Sequence, residues 1–479
     1  MQKLLYDVKD KPPFFKIIVF SFQQLLAILA ATIVVPVIIN NGTGASLSQS
    51  AALFGAGCGT LVYLLFTKFK SPVFLGSSFA FLGSMTTAFT GAASMSIGYI
   101  GLIIGAILAG LVYVLLAIII KFAGTGWINK IMPAVVIGPT VAIIGLSLAG
   151  NAIGDLQKAQ ANTSVYVCLI CGLVTMFVTI IISVFGKKFL KAIPFIIGIL
   201  AGYLVATIFT LFSNVLDKDA LKVIDFKIFN DLQWYPKFTF VKAFGAFDKF
   251  DGAKDFFSYF GTIAVAYIPV AFVCFAEHIA DHKNLSTIID HDLLEDPGLS
   301  NTLLGDGVGS MVGAFFGGCP NTTYGESVGC VAISRNASII TIFVTALLCI
   351  VLSFVAPFIA LLASIPNCVM GGVCIVLYGF IAVSGLKMIQ STDLGDNRNL
   401  FVVSVILIIG VGGLVVSFGK VDITTVACAL ILGIITNIIT HLKKDEPEAL
   451  KATAKEETNE STSTEEAEVE EAEKPVDIE

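Results

Sequence analysis

Residues 314–335 read AFFGGCPNTTYGESVGCVAISR, a segment that is apolar at both ends and interrupted in its middle. The interruption contains Pro320, Asn321 and Gly325, which a continuous membrane helix does not favour. A bilayer offers no hydrogen-bond partners to freed backbone groups, so an interrupted segment at that depth must face protein or a cavity. Glu326 follows directly, and acidic residues inside membranes usually mark a substrate or ion pathway. This segment therefore predicts one half of a substrate site.

The composition is typical of integral membrane proteins. Of the 479 residues, 56% are hydrophobic and 13% are charged, and apolar runs of about 20 residues, each long enough to cross a bilayer core, follow one another. The net charge of −6 is concentrated at the end, where residues 445–479 include 14 acidic and 3 basic residues. The rest is mildly basic, which disfavours nucleic acid as a partner and suits contact with anionic membrane lipid.

The last segment, 442–479, is predicted to be a disordered acidic cytoplasmic tail because it is too polar to form a core. A docking segment for a regulator is the alternative. Lysines precede the first predicted span, Phe14 to Asn40, which places the N-terminus in the cytoplasm by the positive-inside rule. Later basic clusters fall on the same side if the chain crosses about 14 times. We therefore expect a multi-pass protein of the plasma (inner) membrane with both termini cytoplasmic. Residues 151–163 and 213–254 are the predicted external connections.

The long connection divides the chain into halves that resemble each other. MPAVVIG at 132–138 and IPNCVMG at 365–371 each have a proline and a glycine five positions apart. FLGSSFAF at 74–81 occupies the third place in the first half, as the interrupted segment does in the second. Paired interruptions of this kind indicate a transport site near the membrane midplane. The predicted fold class is an all-α polytopic membrane protein with about 14 transmembrane segments in two inverted seven-segment repeats.

The eighth predicted span ends in AEHIADHK at 276–283. Glu277 and Asp281 are four residues apart and share one helix face, whereas His278 and His282 point elsewhere. For Asp281, His282 and Lys283 the alternative interpretation is a solvated helix end. Glu277 follows several apolar turns, so a place inside the membrane is expected for it.

Glu277 and Glu326, on two different segments, predict a paired acceptor site. Half-helices beginning after Ser78 and after Thr323 would add free backbone N–H groups and positive dipole ends. Acceptors and donors together suit a small planar ligand that carries both N–H and C=O groups, and two carboxylates disfavour a bare anion. Buried carboxyl groups also take up protons readily, so Glu277, Asp281 and Glu326 are the candidate proton-coupling residues.

Four motifs resemble the nucleobase–ascorbate transporter family, most closely its bacterial uracil carriers: LGSSFAF at 75–81, AEHIADHKNL at 276–285, DPGL at 296–299 and GCPNTTYGESVGCVAISR at 318–335. The resemblance extends from Phe14 to His441. It implies short strands in interrupted segments 3 and 10, a homodimer, and elevator-like movement of a core domain against a gate domain. It also implies the domain boundaries, with the core formed by 1–125 and 256–363 and the gate by 126–255 and 364–441.

The resemblance further implies roles for single residues. Glu277 and Glu326 would accept hydrogen bonds from ring N–H groups, the backbone of Phe79 and of Tyr324–Gly325 would donate to carbonyl oxygens, and Ala31 would line the pocket. The family signature begins with an acid in uracil carriers and typically with glutamine in purine carriers. Since a carboxylate only accepts hydrogen bonds whereas a carboxamide also donates, Glu326 favours uracil.

This chain departs from the family pattern at three positions. Ser327 stands where the signature usually has asparagine, and Ser334 stands where it has threonine. Asp281 occupies the place of a histidine in the uracil-symporter pattern. Either Asp281 takes over the role of that histidine, or Glu277 and Glu326 alone carry the proton.

The expected function is uracil:proton symport. The first alternative is a xanthine or uric acid permease on the same fold; others are an anion exchanger of the related sulfate-carrier architecture and a nucleobase sensor. Sodium coupling also stays open. No nucleophile, metal-ligand set or phosphate-binding loop indicates an enzyme, and no cofactor or metal is expected. The pair Cys168 and Cys171 is interpreted as packing, because buried cysteine behaves as a small hydrophobe.

Overall fold

The computed structural model describes residues 4–159, 162–187, 189–230, 232–418 and 421–441. The predicted acidic tail, 442–479, lies outside the described residues. The helices are α1 (Phe14–Thr43), α2 (Gln49–Phe66), α3 (Leu82–Thr90), α4 (Met95–Ala123), α5 (Ile128–Ile131), α6 (Ala134–Ser147), α7 (Ala149–Leu156), α8 (Val165–Phe185), α9 (Phe189–Ala192), α10 (Pro194–Leu216), α11 (Thr239–Ala243), α12 (Gly252–Ile289), α13 (Leu299–Gly317), α14 (Gly325–Ser334), α15 (Ile339–Leu352), α16 (Ala356–Ser364), α17 (Asn367–Ile389), α18 (Asn397–Gly412) and α19 (Thr425–Thr440). The strands are β1 (Leu75–Ser77), β2 (Asn321–Thr323), β3 (Val416–Phe418) and β4 (Val421–Ile423).

The helices confirm a polytopic membrane fold. Among the described residues, eight helical segments are long and apolar enough to cross a bilayer, one of them formed by α6 together with α7. The number is nine if α15 and α16, which meet at 87°, form one span. The helix α13 is not among the eight, although it has 19 residues. It packs between α2 and α4, and a helix enclosed by others does not need a fully apolar surface. The number of about 14 crossings stays a prediction.

The first set contains α1, α2, α3, α4, α12, α13, α14 and α15, and it packs in reciprocal pairs. The contact of α1 with α15 in one direction corresponds to the contact of α12 with α4 in the other. In the same way, the contact of α3 with α12 corresponds to that of α14 with α1. α2 and α13 pack against each other, as do β1 and β2. Each of these contacts in one half of the chain has a counterpart in the other half, as a two-fold relation between repeats would produce. The inverted orientation of the repeats in a membrane stays a prediction.

The crossing of α2 and α13 at the centre of this set brings two backbones together. A Cβ atom on Gly55 would lie 2.5 Å from the carbonyl oxygen of Gly313, and one on Gly59 would lie 2.7 Å from that of Gly309. Small residues permit such close approach between membrane helices. The side chain of Asn321 fills the remaining space and donates from Nδ2 to the Gly55 oxygen at 3.1 Å. The interrupted segment is thereby fixed to the central helix pair.

The second set contains α6, α8, α10, α17, α18 and α19, and it repeats the same reciprocity. α6 packs against α17, α8 against α17 and α18 against α6, while α10 contacts α8 and α19 contacts α18. Gly145 and Gly385 lie in the α6–α17 contact, where an added Cβ would meet backbone atoms at 2.3 and 2.2 Å. The division of the chain into a core domain and a gate domain stays a prediction.

The predicted connections contain more structure than expected. α7 continues the chain as a helix to Leu156, into the predicted connection that begins at residue 151. In the long connection, the ring of Phe238 packs edge-on against Phe54 at 5.0 Å, and Phe240 stacks on Phe315 at 4.8 Å. These rings attach the connection to α2 and α13. A second hairpin, β3–β4, was not expected, because its residues merge with the flanking apolar runs.

Candidate functional site

The two predicted interruptions meet as a two-stranded antiparallel sheet. Leu75 pairs with Thr323 and Ser77 with Asn321. Since each strand is followed by a half-helix, the antiparallel register places the starts of α3 and α14 at opposite ends of the strand pair. α14 begins at Gly325, as expected. α3 begins only at Leu82, because residues 79–81 first form a turn in which the Leu82 N–H donates to the Phe79 oxygen at 3.2 Å.

A cavity of about 260 Å³ lies beside this strand pair, between the two sets of helices. The three predicted acidic residues Glu277, Asp281 and Glu326 all line it, although they come from α12 and α14. Further predicted site residues on its wall are Phe79, Tyr324 and Gly325. The structure therefore brings together all predicted site residues except one: Ala31 is fully buried outside the lining, and Ala27, one turn earlier on α1, takes its place.

The three carboxyl groups differ in their partners. Asp281 accepts a hydrogen bond from Thr323 Oγ1 at 2.7 Å, and its Oδ1 would lie 3.7 Å from a Cβ on Gly325. It thus stands at the first residue of α14, where the helix dipole favours negative charge. Within the described residues, the carboxyl groups of Glu277 and Glu326 have no hydrogen bond to another residue. Both are free to accept hydrogen bonds from a ligand.

Backbone donors complete the wall. Among the described residues, the N–H groups of Phe79 and Gly325 have no acceptor, so both are available to a ligand. The prediction that the Tyr324 backbone also donates is wrong for this structure, because its N–H is bonded to the Phe74 oxygen at 3.2 Å. Tyr324 acts through its side chain instead, which donates from its hydroxyl to the Ser77 oxygen at 2.8 Å.

Ser327 anchors the first turn of α14. Its hydroxyl oxygen accepts from Gln24 Nε2 at 2.6 Å and from the Phe74 N–H at 3.3 Å. Ser327, Gln24 and Phe74 are all buried. The serine that departs from the family signature therefore joins α1, the residue before β1 and α14 at one point.

The two histidines beside the acidic residues face away from the cavity, as their spacing predicts. His278 and His282 have no exposed surface, and α12 continues to Ile289. The helix therefore does not end at this point, and the alternative of a solvated position is wrong for His282, whereas Lys283 is exposed.

Sequence reasoning missed the wall of the cavity that α9 and the second set of helices contribute. Five of these residues are Lys191, Phe195, Phe380, Ile381 and Ser384, on α9, α10 and α17. They form no motif and come from segments far apart along the chain, so only the packing brings them to the site. The ring of Phe79 also reaches across, meeting the ring of Tyr378 edge-on at 5.5 Å.

Known proteins resemble this chain over most of its length. Residues 15–418 match the model of a family described as a permease family. The uracil permease of Bacillus subtilis (strain 168) is 38% identical over 459 residues, which cover 93% of this chain and 97% of the relative. That of Bacillus caldolyticus is 37% identical, covering 92% and 95%. The uracil permease of Escherichia coli (strain K12) is 34% identical, with the same coverages.

Solved structures agree on the fold. The transmembrane domain of the cyanobacterial bicarbonate transporter BicA matches with a TM-score of 0.55 at 15% identity, covering 91% of this chain and all of that one. The murine Solute Carrier 26 family member A9 anion transporter in the inward-facing state matches with a TM-score of 0.61 at 12% identity, covering 91% and 69%. Such identities establish the fold alone, whereas the family follows from the sequence matches, and it is a family of transporters rather than enzymes. The chain belongs to the nucleobase–ascorbate transporter family.

Proposed function

We propose that this protein imports uracil together with a proton across the plasma membrane. The observation that carries the proposal is a cavity lined by Glu277, Glu326, Phe79 and Gly325. The carboxyl groups of the two glutamates have no hydrogen bond to another described residue, and the N–H groups of Phe79 and Gly325 have no acceptor among the described residues. Uracil offers two ring N–H donors and two carbonyl acceptors, which complement this set. The relatives named uracil permease support the same substrate.

The dimensions of the cavity favour a small ligand. Its volume of about 260 Å³ is below the roughly 300–1,000 Å³ of sites for drug-sized molecules. In the proposed complex, Glu277 and Glu326 accept the ring N–H groups, and Phe79 and Gly325 donate to the carbonyl oxygens. Ala31 shapes the wall from behind Ala27.

The choice between uracil and a purine such as xanthine depends on Glu326. Its carboxylate can only accept hydrogen bonds, so a ligand edge that presents a carbonyl oxygen or a ring nitrogen acceptor at this place would be repelled. Uracil, with two N–H donors for two carboxylates, satisfies the site without an unpaired acceptor. This argument makes xanthine the weaker candidate.

We further propose that transport follows the elevator scheme, with core residues 1–125 and 256–363 moving against gate residues 126–255 and 364–441 in a membrane-embedded homodimer. The acceptors Glu277 and Glu326 belong to the core segments, whereas Lys191 and Phe380 on the opposite wall belong to the gate segments. Lys191 lies among the basic residues that the positive-inside rule assigns to the cytoplasm, so the cavity would face inward, with both termini on the same side.

Uptake into proteoliposomes tests this function. We expect radiolabelled uracil to accumulate when the outside is made more acidic than the inside, and excess unlabelled uracil to abolish the signal. A sodium gradient at equal pH should not drive accumulation. Uptake that unlabelled xanthine blocks and unlabelled uracil does not would refute the substrate; accumulation driven only by sodium would refute the coupling ion.

A further inference from the structure

A second polar cluster lies behind the substrate cavity, on the neighbouring face of α12. His278 and Asp306 are both fully buried, and His278 Nδ1 lies 2.7 Å from Asp306 Oδ2. The other ring nitrogen, Nε2, lies 3.0 Å from the hydroxyl oxygen of Thr302, which is also fully buried. The ring therefore has a polar partner at each nitrogen, in a place that water does not reach.

These partners permit two protonation states of the pair. When the pair has no extra proton, a neutral His278 donates from Nδ1 to the Asp306 carboxylate and accepts at Nε2 from Thr302. When one proton is added, Nε2 carries a hydrogen and donates to the oxygen of Thr302. The Thr302 hydroxyl can then turn to the carbonyl oxygen of Leu299, which lies 3.0 Å away. One rotating hydroxyl thus satisfies the ring in both states.

The unprotonated state leaves an unsatisfied charge. Asp306 Oδ1 is buried and has no hydrogen-bond partner among the described residues, and an unpaired buried carboxylate oxygen is costly. No lysine or arginine is buried in the described part of the chain. The titratable groups around the pair come from four helices. They are Tyr63 on α2, Tyr113 on α4, and Cys274, Glu277, Asp281 and His282 on α12; Glu326 on α14 lies across the cavity. Nothing basic except the two imidazoles is available to neutralise Asp306.

The pair is also coupled to the substrate acceptors. His278 follows Glu277 directly in α12, and the carboxyl group of Asp306 is close enough to those of Glu277 and Asp281 for their charges to interact. Two like charges in a poorly hydrated region oppose each other. A proton on the pair neutralises the negative charge that Asp306 contributes. Glu277 can then stay ionised and accept a hydrogen bond from a ring N–H.

We propose that the His278–Asp306 pair is the site that holds the coupled proton, an inference that rests on the proposed uracil:proton symport. The proton enters from the outside, binds to the pair, favours uracil at the ionised Glu277, and leaves to the cytoplasm after uracil has dissociated. No other bond is formed or broken. Asp281, hydrogen-bonded to Thr323 at 2.7 Å, then positions the start of α14 rather than carrying the proton.

Asp306→Asn tests the proposal, because an asparagine removes the carboxylate and fixes the pair at the net neutral charge of its protonated state. For one proton per uracil, wild-type vesicles can reach at most about a tenfold uracil gradient for each pH unit. We expect Asp306→Asn to lose this accumulation, with a ratio near one, and to retain exchange of internal for external uracil. Wild-type protein in weakly buffered detergent should also take up protons when uracil is added, and the variant should not.

Two matched variants separate this role from a structural one. His282→Gln removes an equally buried imidazole whose ring stacks on His278 at 4.0 Å, and it should keep proton-driven accumulation. Thr302→Val removes the turning hydroxyl, and the loss of one hydrogen bond should shift the pH midpoint of uracil binding downward by about 0.5–1 unit; this variant is decisive if Asp306→Asn does not fold.

The outcomes are distinct. Retained accumulation in Asp306→Asn, or an unshifted midpoint in Thr302→Val, would overturn the assignment. Wild-type protein that binds no uracil, or that ignores a pH gradient, would instead overturn the proposed function itself.

Discussion

Gly76→Ala is the substitution that examines the geometry of the substrate site most directly. A Cβ atom on Gly76 would lie 2.3 Å from Cζ and 2.4 Å from Cε2 of the Tyr324 ring. Non-bonded carbon atoms prefer about 3.5–4.0 Å, so the ring would have to move by roughly 1–1.5 Å. Tyr324 directly precedes α14, whose first turn carries Glu326. The added methyl group would therefore displace a substrate acceptor without touching the substrate.

The size of the effect follows from the contacts that are lost. Forcing a methyl group into a packed site costs about 1–3 kcal/mol. Losing the 2.8 Å hydrogen bond from the Tyr324 hydroxyl to the Ser77 oxygen adds about 1 kcal/mol. If half of this strain is transmitted to the site, the affinity for uracil falls by roughly 5–30-fold. The backbone pairing of β1 with β2 stays possible, since the strand itself tolerates alanine.

Equilibrium binding of radiolabelled uracil to the purified protein measures this loss, and thermal unfolding shows whether the variant is folded. Gly261→Ala is the control, because a Cβ at that position in α12 meets no heavy atom within 4 Å; it should leave binding unchanged. A folded Gly76→Ala variant with wild-type affinity would refute the link from Gly76 through the Tyr324 ring to the start of α14.

Three further substitutions or treatments probe other parts of the protein. Glu326→Gln should reduce uracil uptake by about tenfold or more, because a charge-assisted hydrogen bond contributes about 1.5–3 kcal/mol, whereas the exposed control Glu295→Gln should not; near-normal uptake would remove Glu326 from the site. Ser327→Ala leaves two buried donors unsatisfied and should lower the free energy of unfolding by about 2–3 kcal/mol; an unchanged thermal unfolding curve would contradict this. Burial, assisted by the nearby charge of Lys237, lowers the pKa of Lys242 to about 8, so its neutral, reactive fraction rises around pH 8 rather than above pH 10. Amine acylation followed by mass spectrometry should give a labelling midpoint near pH 8 for Lys242, and a midpoint near pH 10 would be inconsistent with the burial.

Local sequence signals were sufficient for the acidic side of the site. Helical periodicity alone places Glu277 and Asp281 on one face, and the proline and glycine of the interrupted segment mark where α14 begins. Both features depend on residues within a few positions of each other. In the structure both side chains line one cavity. Their positions relative to each other follow from their spacing within one helix.

Other parts of the site depend on contacts that no local pattern encodes. Lys191 and Phe380 line the cavity because α9 and α17 pack near α14 and α1, and apolar spans alone do not specify which helices become neighbours. The late start of α3 at Leu82 reflects a turn that uses ordinary residues. The Tyr324 N–H cannot donate to a ligand, because the hydrogen bonding between β1 and β2 continues one residue beyond β2, to the Phe74 oxygen. That bond depends on the register of two strands about 250 residues apart.

The two proposed functions of α12 follow from one arrangement of its side chains. Glu277 and Asp281 form one row along the helix, and His278 and His282 form the next row, about 100° around the axis. The first row faces the cavity, and the second faces the interior, where His278 meets Asp306. Because α12 and α13 belong to the same set of helices, any movement of that set against the other carries both rows together. Substrate acceptors and the proposed proton pair then change sides in the same step, and their coupling needs only the electrostatic interaction of adjacent residues rather than a signal through the protein.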